Sequence, residues 1–363
     1  MKANSFYKTI AYGVLVLLSW SVQGQEKLSK EIKKTYPLSN EGALFLENKY
    51  GDVYINGWDK DFIEITVNIE AKGKNTDKTK ELLNLINSRI VATDKQVIVK
   101  SEISNKNPGF FNKYIHKIDP FKNEKTNTEI NYTIYLPKSA EIELLNKYGD
   151  VIISDWNGKL KANVEHGDLR ITDSITNSNV SVKYGKLRAN SLYKATIIAK
   201  DASVSINHSN SLKLDSNGSE ITLGGVDNLE LNSNKDTIEI DQLKNTHGTA
   251  KYSTITCNTI SNSINLELNL TELRLLKFLN AYPRVTINQK SSEVYINISE
   301  TNFNFDANLE QGVLRIPKTL FNINSEVIDK KNKIRHITAS YGEGNTGFFI
   351  MNGIKGIIIL KEL

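Results

Sequence analysis

Apolar–x–apolar pairs recur from Val151 to Cys257 at a spacing that barely varies. Val151/Ile153, Leu169/Ile171, Leu187/Ala189, Val204/Ile206, Ile221/Leu223, Ile238/Ile240 and Ile255/Cys257 follow one another at 18, 18, 17, 17, 17 and 17 residues. Alternation of period two belongs to a strand with one buried face, and recurrence at a short fixed period marks a stacked repeat. A second alternating stretch lies between successive pairs: Leu160-Ala162-Val164, Val180-Val182, Ile197-Ala199, Leu212-Leu214, Leu229-Leu231. Each repeat thus reads as two short strands and two turns. Connections that return to a parallel neighbour are right-handed. The expected fold is all-β, a right-handed parallel β-solenoid with 17–18-residue rungs.

A longer duplication frames these rungs. Asn48–Trp58 reads NKYGDVYINGW, and 98 residues later Asn146–Trp156 reads NKYGDVIISDW. Gly permits a tight turn, and an Asp after it suits a side chain that bonds its own turn. Before the rungs the pattern is less even, with strands near Ala43–Leu46, Val53–Ile55, Phe62–Ile69, Gln96–Ile103 and Glu129–Leu136. Leu82, Leu83, Leu85 and Ile86 give Asp77–Arg89 the apolar face of one short cap helix. After Cys257 the alternation continues with uneven turns. Val285 and Leu314 are the expected continuation of the column, and Ile357–Leu360 the strand that closes the stack.

The N-terminus reads as an address. Lys2 and Lys8 precede the apolar run Ile10–Trp20, with a cut expected between Gly24 and Gln25, so residues 1–24 read as a secretory signal peptide. The division that follows is 25–139, an irregular β-rich region with the cap helix and a variable loop at 105–127, then 140–363, the repeat domain. No later segment has the length and apolarity of a transmembrane helix. With 46 basic and 41 acidic residues interspersed, no nucleic-acid footprint is expected. Cys257, the single cysteine, stands in an inward slot and reads as a buried hydrophobe.

Chemistry is sparse. The outward file Ile152, Arg170, Arg188, Ser205 lies beside Asp150, Asp168, Lys186, Ser203. Asp150/Asp168 next to Arg170/Arg188 is the best catalytic candidate, and it reads as a charge-compensated solvated face. His166, His208 and His247 lack metal-ligand spacing, so no metal and no cofactor is expected. The candidate binding residues are Arg170 and Arg188 on the flat face, with Phe110, Phe111, Tyr114 and Phe121 in the 105–127 loop.

The export signal, the doubled NKYGDVxIxxW unit, the EINYTIYLPKSAEIEL segment between its copies and the regular rungs resemble the bacterial putative-adhesin repeat family, named for its likeness to autotransporter adhesin heads. That resemblance implies a right-handed β-solenoid of the cell envelope, no catalysis and an adhesive role. The expectation is a non-catalytic exported module of the periplasm, outer membrane or cell surface, whose partner is an envelope protein or a glycan. The alternatives are a carbohydrate-active lyase or hydrolase on a β-helix face, and a periplasmic sensor that partners a membrane regulator.

Overall fold

The computed structural model describes residues 26–73, 75–103, 128–343 and 347–362. The described residues are all-β, with one helix and one long, mostly parallel sheet. The signal-peptide region and the aromatic residues Phe110, Phe111, Tyr114 and Phe121 lie outside the described residues. Among the described residues no helix is long and apolar enough to cross a membrane.

The first elements are β1 (Glu26–Pro37), β2 (Ala43–Lys49), β3 (Val53–Trp58), β4 (Phe62–Gly73), α1 (Thr76–Leu85), β5 (Ile86–Ala92), β6 (Gln96–Ile103) and β7 (Thr128–Pro137). They are followed by β8 (Glu141–Lys147) and β9 (Val151–Ser154). β2 lies between β6 and β8, and β3 between β7 and β9, all parallel. The chain therefore leaves the stack after β3, builds the end behind it, and returns on its other side. This order explains the duplication: Asn48 pairs with Asn146 and Val53 with Val151, so the two motif copies are neighbours in space. β4 runs antiparallel to β7 and β1 antiparallel to β4, which covers this end with strands of opposite direction.

Helix α1 packs over β4 and β1 through buried Leu82 and Leu83. The Asn75 side chain caps it by accepting from the Asp77 and Lys78 amides, and Asp77 complements the helix dipole. It ends at Leu85, not at Arg89. Ile86 is already extended, and Asn87 to Ala92 pair antiparallel with β6, where Ile90 and Val91 suit a strand.

The regular part comprises β10 (Leu160–Glu165), β11 (Leu169–Lys183), β12 (Lys186–Lys200), β13 (Ser203–Asn217), β14 (Glu220–Asn234), β15 (Thr237–Lys251) and β16 (Thr254–Asn269). Leu169, Leu187, Val204, Ile221, Ile238 and Ile255 pair in succession and are all buried, as is the column from Ile171 to Cys257. Each Val, Leu or Ile side chain among them contributes about 1.5–3 kcal/mol by leaving water. The two apolar stretches of a repeat are not separate strands, however. From β11 on they belong to one strand that bends midway, and in β13 and β14 the pairing runs on through the bend at His208↔Gly225 and Ser209↔Val226. The bend carries its own buried column: Ile175, Leu192, Ser209, Val226, Leu243 and Ile260. The tight turn comes between strands, at a left-handed residue such as Tyr184, Asp201, Lys235 or Tyr252.

The far end consists of β17 (Glu272–Leu275), β18 (Arg284–Lys290), β19 (Glu293–Asn297), β20 (Phe303–Glu310), β21 (Val313–Arg315), β22 (Phe321–Asp329), β23 (Ile334–Tyr341), β24 (Gly347–Ile354) and β25 (Ile357–Lys361). Order is again broken. β24 lies between β18 and β20, and β25 between β19 and β21. Ile357–Leu360 is therefore interior and does not close the stack. The column from Ile255 continues through Leu273, Val294, Ile358 and Leu314. Val285 belongs to the other face, paired with Ile264 and Phe349.

Candidate binding surfaces

The NKYGDV unit builds the turn, residue by residue. Asn48 and Asn146 are buried, and the Asn48 amide donates to the Gly51 and Ile130 carbonyls and to Oδ1 of Asn146. Asn146 in turn donates to the Gly149 carbonyl at 2.7 Å. Tyr50, Tyr148, His166 and Tyr184 take left-handed φ values of 65°, 59°, 55° and 55°. A Cβ on Gly149, Gly167 or Gly185 would meet the carbonyl oxygen of the preceding layer's glycine at 2.0, 1.9 and 2.0 Å, so only glycine fits. The motif's tryptophans close the next corner, Trp156 Nε1 donating to the Ala140 carbonyl and Trp58 Nε1 to that of Phe62.

The aspartates join layers. Oδ1 of Asp52 accepts from the Asp150 amide at 2.8 Å, Oδ1 of Asp150 from the Asp168 amide at 2.8 Å, and Oδ1 of Asp168 from the Lys186 amide at 2.9 Å. Asp150 and Asp168 do stand side by side, but each holds a backbone amide of the next layer. Arg170 and Arg188 are register partners on the outer face, and Arg188 Nη1 lies 3.6 Å from Oδ2 of Asp168.

Further along, the direction of these bonds reverses. The Ala202 amide donates to Ser219 Oγ, the Ser219 amide to Asp236 Oδ1, the Asp236 amide to Ser253 Oγ and the Thr271 amide to Ser292 Oγ. Asp236 is buried, and its Oδ2 also accepts from Ser216, Ser233 and the Asn234 amide. A buried carboxylate is tolerated when its lone pairs are met in this way. The sequence offered a hint, the replacement of Gly by Ala, Ser, Asp, Ser and Thr at one turn position, which the apolar pattern alone does not expose.

An aromatic column also escaped the sequence reading, although Tyr50, Tyr148, His166 and Tyr184 each directly precede a glycine. Tyr50 stacks on Tyr148 at 5.3 Å, Tyr148 on His166 at 4.9 Å and His166 on Tyr184 at 4.8 Å, all within 12° of parallel. Lys49 Nζ lies 4.7 Å from the Tyr50 ring centroid. Such pairs are worth roughly 0.5–1.5 kcal/mol each and offset the left-handed backbone. Ring faces within the column cover one another, so it offers a ligand mainly edges and hydroxyls.

Cys257 is buried, and loss of solvent pushes its thiol up to about 12. Among the described residues, no three of His, Cys, Asp and Glu converge to hold a metal.

No protein-family model and no curated protein matches the chain. Among solved structures, a "putative adhesin" from Parabacteroides merdae shares 11% identity over 92% of this chain and 97% of its own, with a TM-score of 0.34. A "putative adhesin" from Parabacteroides distasonis shares 14% identity over 74% of this chain and 93% of its own, TM-score 0.30. A "putative lipid binding protein" from the same species shares 14% over 93% of this chain and 97% of its own, TM-score 0.28. Overlaps this loose transfer nothing from those proteins to this chain.

Proposed function

We propose that the chain is an exported, non-catalytic binding or structural module of the cell envelope, of the putative-adhesin kind, built as a right-handed β-solenoid with 17–18-residue rungs. The observation that carries this reading is the aspartate ladder. Glycoside chemistry uses an acid and a base, or a nucleophile, facing one reacting bond. The strongest carboxylate pair, Asp150 and Asp168, instead gives an oxygen of each to backbone amides. Among the described residues, its surroundings are a sheet face bearing Arg170 and Arg188 in register. The partner is an envelope protein or a glycan, met through Arg170 and Arg188 or through Phe110, Phe111, Tyr114 and Phe121.

Mature protein on a glycan array, paired with pull-down from envelope fractions, tests the module. Capture that weakens when Arg170 and Arg188 become Ala supports the flat face. Turnover of a polysaccharide that vanishes in Asp150→Asn or Asp168→Asn, with the fold intact, hands the site to the carbohydrate-active alternative. N-terminal sequencing of the cell fractions checks export, and intact Met1 in the cytosol defeats it.

A further inference from the structure

The two ends of the stack are closed differently. Strands β1 and β4 and helix α1 lie over the first end. At the other, among the described residues β22 pairs only with β23, and a cleft of about 800 Å³ opens beside this hairpin. Its apolar wall is Leu309, Leu314, Val327 and Ile337, and its rim is Lys330, Lys333 and Arg335.

Arg335 is the informative residue. In the β20–β23 ladder, Tyr341, Ala339, Ile337 and Arg335 pair with Phe303, Phe305, Ala307 and Leu309, all of which are buried. Paired residues share a face, so the alternation sets an exposed guanidinium in line with the row that is buried further along the ladder. Among the described residues none of Lys330, Lys333 and Arg335 has an ion-pair partner, and no carboxylate lines the cleft. The adjacent acid, Asp329, accepts from the Lys331 and Asn332 amides inside the hairpin turn. Meanwhile Val327, in the apolar wall, is 45% exposed. Bare apolar wall beside uncompensated cations fits one chemical class.

We infer that this cleft binds an anionic amphiphile. Its acyl chain lies along Leu309, Leu314, Val327 and Ile337, and its carboxylate or phosphate head is held by Lys330, Lys333 and Arg335. The volume falls within the roughly 300–1,000 Å³ of small-molecule sites. The site is separate from the faces proposed above and stands or falls without them.

Calorimetric titration of the full exported chain with dodecanoate, dodecanol and hexanoate is the test. Saturable dodecanoate binding is expected, weakened roughly tenfold or more in Lys333→Gln/Arg335→Gln, a loss matching one or two charged hydrogen bonds. Dodecanol and hexanoate should bind far less, lacking the head or the chain. Ile337→Trp, which fills the cleft, should abolish binding while thermal melting shows a folded protein. Absence of saturation, equal binding of dodecanol, or indifference to the glutamine variant each overturns the site. Anionic phospholipid vesicles distinguish the source. Co-sedimentation that dodecanoate competes away places a bilayer lipid in the cleft. Co-sedimentation without any dodecanoate binding overturns the cleft in favour of surface adsorption.

Discussion

Asn48 Nδ2 donates to Asn146 Oδ1 at 3.0 Å across 98 residues of chain, and both side chains are buried. This contact joins the two motif copies at the point where the chain, having left the stack, re-enters it.

Asn146→Ala should therefore destabilise more than a surface change. It leaves the Gly149 carbonyl and part of the Asn48 amide without partners, at a cost of about 1–3 kcal/mol for buried polar groups. Urea unfolding of the variant measures this, and a change within experimental error would show the ladder to be dispensable.

The register of the regular part is tested at Ile221 and Thr222. Ile221 is buried and Thr222 exposed. Ile221→Ala should cost about 2–5 kcal/mol and Thr222→Ala at most about 0.5 kcal/mol. Similar losses at both positions would place the strand one residue out.

Gly167 and Gly312 form a matched pair. A Cβ at Gly167 would sit 1.9 Å from the Gly149 carbonyl oxygen, whereas at Gly312 its nearest neighbour is at 3.5 Å. Gly167→Ala should lose about 1–3 kcal/mol or more to overpacking, and Gly312→Ala should be neutral or gain about 0.4–1 kcal/mol. Comparison of denaturation midpoints decides.

Cys257 predicts a pH dependence. Its folded thiol titrates near 12, above the unfolded value of 9.0, so its contribution is complete below pH 9.0 and declines as pH rises toward 12. At pH 8 a thiol reagent should modify the protein only at the rate of global unfolding. Rapid labelling of native protein would show that the layer around Ile240 and Cys257 opens locally.

Much of this architecture was legible because its determinants are local. Val204/Ile206 and Ile221/Leu223 announce their strands within three residues, and the register follows from aligning them. Layer order was hidden at both ends, since nothing near Val285 or Ile357 records that β24 and β25 will slip between earlier strands. The midway bend was hidden too, because Ser209 is as polar as a turn residue yet is buried, its hydroxyl donating to the Leu192 carbonyl. Asp150 was placed at the right turn but given the wrong partner. A side chain can bond its own turn or the neighbouring layer, and the choice depends on strand stacking, which spacing alone does not resolve.

The out-of-order return of β25 has a mechanical consequence. A terminal strand added at the rim of a stack peels away one hydrogen bond at a time, because only one edge is held. β25 is gripped on both edges, by β19 and β21. A pull on the chain at β25 therefore shears two ladders together, and unravelling from that side must first dislodge β20 and β21. For a protein anchored at one point and loaded at another, that threading acts as a clamp.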